Sequence, residues 1–242
     1  MGPKTTILAC ACLAACLPCI FAQGTAWLGY VPGESPTVEG DSFLQQPFRF
    51  PSSRFQQIYS SSSFSNLAGS QGVYIGTVYF RLDSRPNNVI NGYYTNFQIN
   101  LSTTLRPPEG LSPVFSENVG ADDTMVFAPT TVRYFNGSSM TNPQASAIGV
   151  RFSQDFFYHP TNGNLLLDIR IPNGTWTAIM DGWNQPGDGI SSVFGNFGDS
   201  SGTVSTFGLA TLFTGTQVPE PSGIALALIG LTAFALFIRK RK

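Results

Sequence analysis

The chain has 242 residues, 11% of them charged, and a net charge of −1. That balance hides an asymmetry: residues 23–217 carry 8 Arg and 13 Asp+Glu, a net of −5, while all four cysteines (Cys10, Cys12, Cys16, Cys19) and all three lysines (Lys4, Lys240, Lys242) lie towards the two ends. The acidic, lysine-free middle lacks the basic face that nucleic-acid binding requires, and without cysteine it forms neither a disulfide nor a thiolate metal site.

The N-terminus reads as a secretory signal peptide over residues 1–22. Lys4 is the sole charge before Glu34, an apolar run extends from Ile7 to Ala22, and small Ala22 precedes Gln23, where signal peptidase would cut. A retained membrane helix is the alternative, but the run falls short of the ~20 apolar residues a span needs. Leu13-Ala14-Ala15-Cys16 also resembles a lipobox, which would place a lipid on Cys16; residues 17–21 stay apolar, where lipoproteins turn polar. Residues 23–42, with Gly24, Gly29, Pro32, Gly33, Pro36 and Gly40, read as a flexible leader whose Trp27, Leu28 and Tyr30 can dock on the domain edge.

Residues 43–217 read as short strands between turn signals. Phe48–Tyr59 offers one or two, broken at Pro51. Val73–Leu82 is apolar on both faces and reads as central. Tyr93–Leu101 puts Phe97, Ile99 and Leu101 on one face and Asn96, Gln98 and Asn100 on the other, the pattern of a half-exposed strand. Residues 105–123 form a long loop. Thr124–Phe135, interrupted by Pro129, reads as an edge strand or two. Ala147–Phe152, Leu165–Ile171, Thr175–Met180, Ser192–Phe197 and Thr203–Phe213 complete about ten strands at the spacing of a β-sandwich or jelly roll. The fold class expected is all-β.

Few residues carry recognisable chemistry. His159 is the lone histidine, and no Gly-x-Ser-x-Gly elbow accompanies it, so a Ser-His-Asp triad is disfavoured. Asp122 and Asp123 are adjacent and would point apart in a strand, unlike a glycosidase pair. The expectation is a protein that is not an enzyme. Asp181 to Gly189 is rich in Asp, Asn and Gly; Asp181 and Asp188 are candidate calcium ligands, although the loop lacks the alternating spacing of a defined calcium site and turn chemistry explains it equally well. No other cofactor is indicated. Trp176 and Trp183 flank a hairpin-like turn, with Asp181 and Asn184 beside them. Aromatic faces stack on sugar CH groups and the polar side chains take hydroxyls, so these four form a candidate carbohydrate site, against the alternative that both Trp are core anchors. Three Asn-x-Ser/Thr sequons begin at Asn100, Asn136 and Asn173.

The C-terminus, residues 218–242, has three parts in order: Pro219-Glu220-Pro221, an uncharged apolar run over 223–238, and the cluster Arg239-Lys240-Arg241-Lys242. As a helix the run is roughly 24 Å long, a little short of a bilayer core of about 30 Å. The basic cluster would stay cytoplasmic under the positive-inside rule, which agrees in topology with the signal peptide. An ordinary membrane anchor is one reading.

The ordered triple resembles the PEP-CTERM sorting signal of bacteria. That resemblance implies export, sorting by an exosortase that processes the tail, transient membrane anchoring through the helix, and a host that makes exopolysaccharide. Segments of the middle, among them Arg54–Tyr59, Gln98–Thr104, Asn118–Thr124 and Gly163–Asp168, resemble uncharacterised exported proteins of the same group and imply no activity. The function expected is a structural or adhesive protein of the cell envelope or extracellular matrix, with a carbohydrate-binding module and a polysaccharide-active enzyme as alternatives.

Overall fold

The computed structural model describes residues 25–31, 38–64, 68, 71–85, 90–136, 148–176 and 179–218. Through them run β1 (Thr25–Val31), β2 (Ser42–Leu44), β3 (Ser53–Tyr59), β4 (Val73–Phe80), β5 (Ile90–Thr104), β6 (Thr124–Asn136), β7 (Ile148–Tyr158), β8 (Asn164–Ile171), β9 (Asn173–Trp176), β10 (Met180–Trp183), β11 (Ile190–Gly195), β12 (Thr203–Ser205), β13 (Gly208–Leu209) and β14 (Thr211–Gln217). The helical elements among the described residues are 3-10 turns of three or four residues. None is long and apolar enough to cross a membrane. The signal-peptide and transmembrane-helix expectations lie outside the described residues.

The all-β expectation holds. One sheet has the order β1-β14-β4-β7; a larger one runs β12-β11-β3-β8-β5-β6, with β9 also on β5; a short third has the order β13-β10-β2. Every pairing is antiparallel. The two large sheets share one core. Tyr59 of β3 meets Phe213 of β14 edge-on at 5.1 Å between ring centroids. Phe64 joins Tyr158 and Phe213 at 5.2 and 5.8 Å. These offset and edge-to-face geometries are the ones aromatic quadrupoles favour. Across the same space the Thr211 hydroxyl donates to Tyr59 Oη at 3.0 Å. Burial pushes the Tyr59 phenol far above its ordinary range, so it is neutral.

Bulges decide which side chains reach this core. In β4, Val73 and Ile75 face inward, and so do Val78 and Phe80. The pairing with β7 shifts between Ile75 and Thr77, so the alternation changes phase at Gly76. A strict period of two over Val73–Leu82 therefore misassigns half the strand. In β5 the ladder shifts between Tyr94 and Phe97, around Asn96 at φ 54°, and Tyr94 joins Phe97, Ile99 and Leu101 inside.

Strands differ from expectation where they are short or paired late. The leader is not a loose segment throughout: β1 lies in it and pairs with β14 as the edge of the first sheet. Thr203–Phe213 divides into β12, β13 and the start of β14, and Thr175–Met180 divides between β9 and β10. Thr124–Asn136 is one edge strand, where Pro129 is tolerated.

Residues 105–123 are a packed cover, not a free loop. Leu111 and Phe115 are buried with Ile58, Leu166 and Val193 on the outer face of the large sheet. Beside them Asp168, its side chain 2% exposed, accepts from Arg54 (2.7 Å), Arg170 (2.9 Å) and Gln56 (3.1 Å). Gln56 also donates to the Phe115 carbonyl, and Asn118 donates to Gln56 Oε1, both at 3.1 Å. The polar face of β5 is thereby covered at one end: Asn100 and Ser102 are buried, while Gln98 is half-buried and Asn96 exposed, so the half-exposed expectation is corrected only from Asn100 onward.

The third sheet is joined to the first by a buried ion pair. Arg81, just past β4, contacts Asp181 of β10 at 2.5 Å, and both side chains are 0% exposed. Their backbones are stitched as well: Arg81 N–H donates to Ala210, Asp181 N–H to Arg81, and Ala210 N–H to Asp181. Removing one member of such a pair strands a buried charge and costs about 3–5 kcal/mol, whereas replacing both with apolar groups is often neutral. We therefore expect Arg81→Met to lower unfolding free energy in urea by about 3–5 kcal/mol, and Arg81→Met with Asp181→Leu to recover most of it. Equal losses in the single and double variants would contradict this coupling.

Candidate functional site

The residues singled out from sequence do not converge. Asp181 is sealed: Oδ2 is on Arg81, and Oδ1 accepts from Gly40 N–H at 3.0 Å. Neither oxygen reaches a surface, so Asp181 is corrected from sugar or calcium ligand to an internal counter-ion. Asp188 Oδ1 accepts from Ile190 N–H at 2.9 Å, closing the turn that carries Gly187 and Gly189 at φ 82° and 88°. Burial raises the Asp188 carboxyl above its ordinary value, with the nearby Glu109 and Asp41 adding to the effect. This is the turn chemistry that accounted for the loop as well as calcium did. Among the described residues no three His, Cys, Asp or Glu side chains are grouped to hold a metal ion.

The tryptophans are also separated. Trp183 closes β10 in the short sheet, half-buried against the main core. Trp176 ends β9, opposite Gly92 in the large sheet; its side chain is outside the described residues. Asn184 is exposed, donates its N–H to Asp41 at 2.9 Å and accepts from Thr206 at 2.5 Å. The two strands belong to different sheets, so Trp176 and Trp183 are not carried by one hairpin.

An open groove lies elsewhere. Two adjoining recesses of about 550 and 420 Å³ share Thr103, Asp122 and Asn162. One continues past Leu105, Arg106, Glu117 and Val119; the other runs to Tyr74, Gln154, Phe157 and His159. Several elements build it. The end of β5 forms one wall, with the Gly120 segment drawn against it, where a Cβ would strike the Thr103 carbonyl. Asp122 Oδ1 accepts from Thr103 N–H at 2.7 Å. Asp123 instead accepts from Asn100 at 3.1 Å, so the adjacent carboxylates serve different partners. The turn Pro160–Asn162 forms the floor, capped by His159, whose Nδ1 accepts from Thr161 N–H at 3.3 Å.

On the far side Tyr74 and Phe157 face each other across β4 and β7. They are 46% and 43% exposed, with ring centroids 5.2 Å apart at 52°. Other charged groups of the groove pair with each other: Arg106 with Glu117 at 3.3 Å, and Asp155 with Arg151 at 3.1 Å. Sequence reasoning missed this place because Tyr74 sat in a strand read as buried on both faces. Its signal was the Gly76 bulge, which a fixed period does not register.

Burial pushes the Asp181 carboxyl up to about 6, against the lowering by Arg81 and Gly40. The folded protein thus holds this proton more tightly than the unfolded chain, where the ordinary value is 3.8. As pH rises from about 4 to about 6 the unfolded carboxyl ionises first, and stability from this group falls. Denaturant titrations should show wild type losing stability relative to Asp181→Asn across that window. A difference that stays flat or grows in favour of wild type contradicts the assignment.

The PEP-CTERM protein-sorting motif matches residues 217–242. No curated protein and no solved structure matches the chain. The matched span contains Pro219, Glu220, Pro221 and the basic cluster Arg239–Lys242, which lie outside the described residues. The chain is therefore an exported protein with a C-terminal sorting tail, and an exosortase is its processing partner.

Proposed function

We propose that this exported protein is a non-enzymatic structural or adhesive component of the cell envelope or extracellular matrix, released from its membrane tether when the exosortase removes the tail. The junction between domain and tail carries the reading. Gln217 is the last residue of β14 and the first of the sorting motif. Val218 N–H is still tied to Gly72 at 3.0 Å. The last described strand ends where the address begins, so a cut near Pro219-Glu220-Pro221 leaves every described strand in the released domain. A core without disulfides then has to hold the released domain, and the shared aromatic core of the two large sheets suits that task.

The groove's own partners support the non-enzymatic reading. Asp122, Glu117 and Asp155 each accept from a group within the protein, and His159 caps its turn. This arrangement favours holding a ligand over moving its protons.

The test is fractionation of the host expressing the wild-type chain or a variant with Pro219, Glu220 and Pro221 all changed to alanine. Wild type should appear in the surface and matrix fraction, and the variant should stay in the membrane fraction. An identical distribution of the two contradicts sorting through this motif, and wild type confined to the membrane contradicts the released, matrix-borne role.

A further inference from the structure

We propose that the groove beside Tyr74 and Phe157 binds an uncharged oligosaccharide, which gives the adhesive reading above its ligand class. The proposal rests on that reading only for its biological setting; the site itself rests on geometry.

Tyr74 and Phe157 are directly opposed cross-strand residues, and both rings leave close to half their surface in water. Elsewhere on these two strands the large apolar groups Val73, Ile75, Val78, Phe80, Phe152 and Phe156 are buried. The exposed pair is thus a local departure, a stiff platform fixed by two strands. Their contact at 5.2 Å and 52° makes a shallow cradle, not a flat stack. Such a cradle fits the CH face of a sugar ring, which is apolar on its face and polar at its rim.

The rim of the groove supplies the complementary chemistry. Asn162 and Gln154 are exposed amides, each with donor and acceptor atoms for hydroxyls. Asp122 keeps one oxygen on Thr103 N–H, which fixes the carboxylate in place as an acceptor. Arg106 is paired with Glu117, and Asp155 with Arg151, so the groove offers no unpaired cationic cluster to an anionic chain. An extended peptide added as a strand is disfavoured at Tyr74, because β4 is paired on both edges by β14 and β7. Two adjoining recesses of about 550 and 420 Å³ offer room for several sugar units more than for one.

The site's position matters for use. Tyr74 is also in register with Thr216, two residues before Val218. The platform therefore sits at the end of the sandwich from which the tail leaves, so the tether and the ligand share one end of the domain.

The experiment uses the protein recovered from its host's surface fraction or, if it stays tethered, the full chain in detergent. The probes are soluble hexasaccharides of glucose, xylose, mannose and N-acetylglucosamine, and polysaccharide extracted from the host surface. Binding is read by calorimetry, with neutral phosphatidylcholine vesicles as a separate arm. At least one saccharide should bind, Tyr74→Ala and Phe157→Ala should each weaken it about tenfold, and Tyr74→Phe should retain it, since stacking needs the ring and not the hydroxyl. Both positions are exposed, and an unchanged thermal midpoint confirms folding of each variant. Failure of every saccharide to bind overturns the proposal. So does binding that both alanine variants keep, or loss in those variants of vesicle binding alone. Mislocalisation of the chain leaves this result untouched, so the two readings fail separately.

Discussion

The ion pair between Arg81 and Asp181 is enclosed completely, and it joins the short sheet to the first. Arg81 continues β4 beyond its last ladder residue, Asp181 lies in β10, the middle strand of the short sheet, and Ala210 lies between β13 and β14. Three backbone hydrogen bonds and one charge pair tie these segments together in a place where water cannot compensate an error. A buried pair is weak as a source of stability, but it is demanding about geometry. Its geometry is met with Arg81 just past β4, Asp181 in β10 and Ala210 ahead of β14.

Much of the fold was legible because its strands alternate cleanly. Leu165, Leu167, Ile169 and Ile171 go to the core, while Leu166, Asp168 and Arg170 go to the covered outer face. Period two reads that directly. The same rule failed at Gly76 and Asn96, where bulges change the phase, and at β1, which has no partner until β14 arrives at the other end of the chain. Pairing at such separation leaves no local trace. The cover formed by residues 105–123 was unreadable for a related reason: its prolines and glycines describe a loop, and nothing local says that Phe115 and Asn118 will be buried.

The site was less legible than the fold. Asp181, Trp183 and Asn184 looked like a ligand set because they are close in sequence, yet strand geometry sends them to the interior, the core edge and the surface. The groove draws instead on residues near 74, 103, 122, 157 and 162. Only the tail could be read whole, because a sorting signal is recognised in linear order and not through a fold. Its meaning and the sandwich meet at Gln217, where the last ladder of the first sheet ends and the motif starts.

That junction makes the central claim measurable. The intact mass of the protein taken from the surface of an exosortase-bearing host should correspond to a chain that starts at Gln23 and ends near Pro219-Glu220-Pro221, without Gly223–Lys242. A mass that still includes Arg239–Lys242 on the surface-borne protein would contradict the account, and would make the tail a permanent anchor.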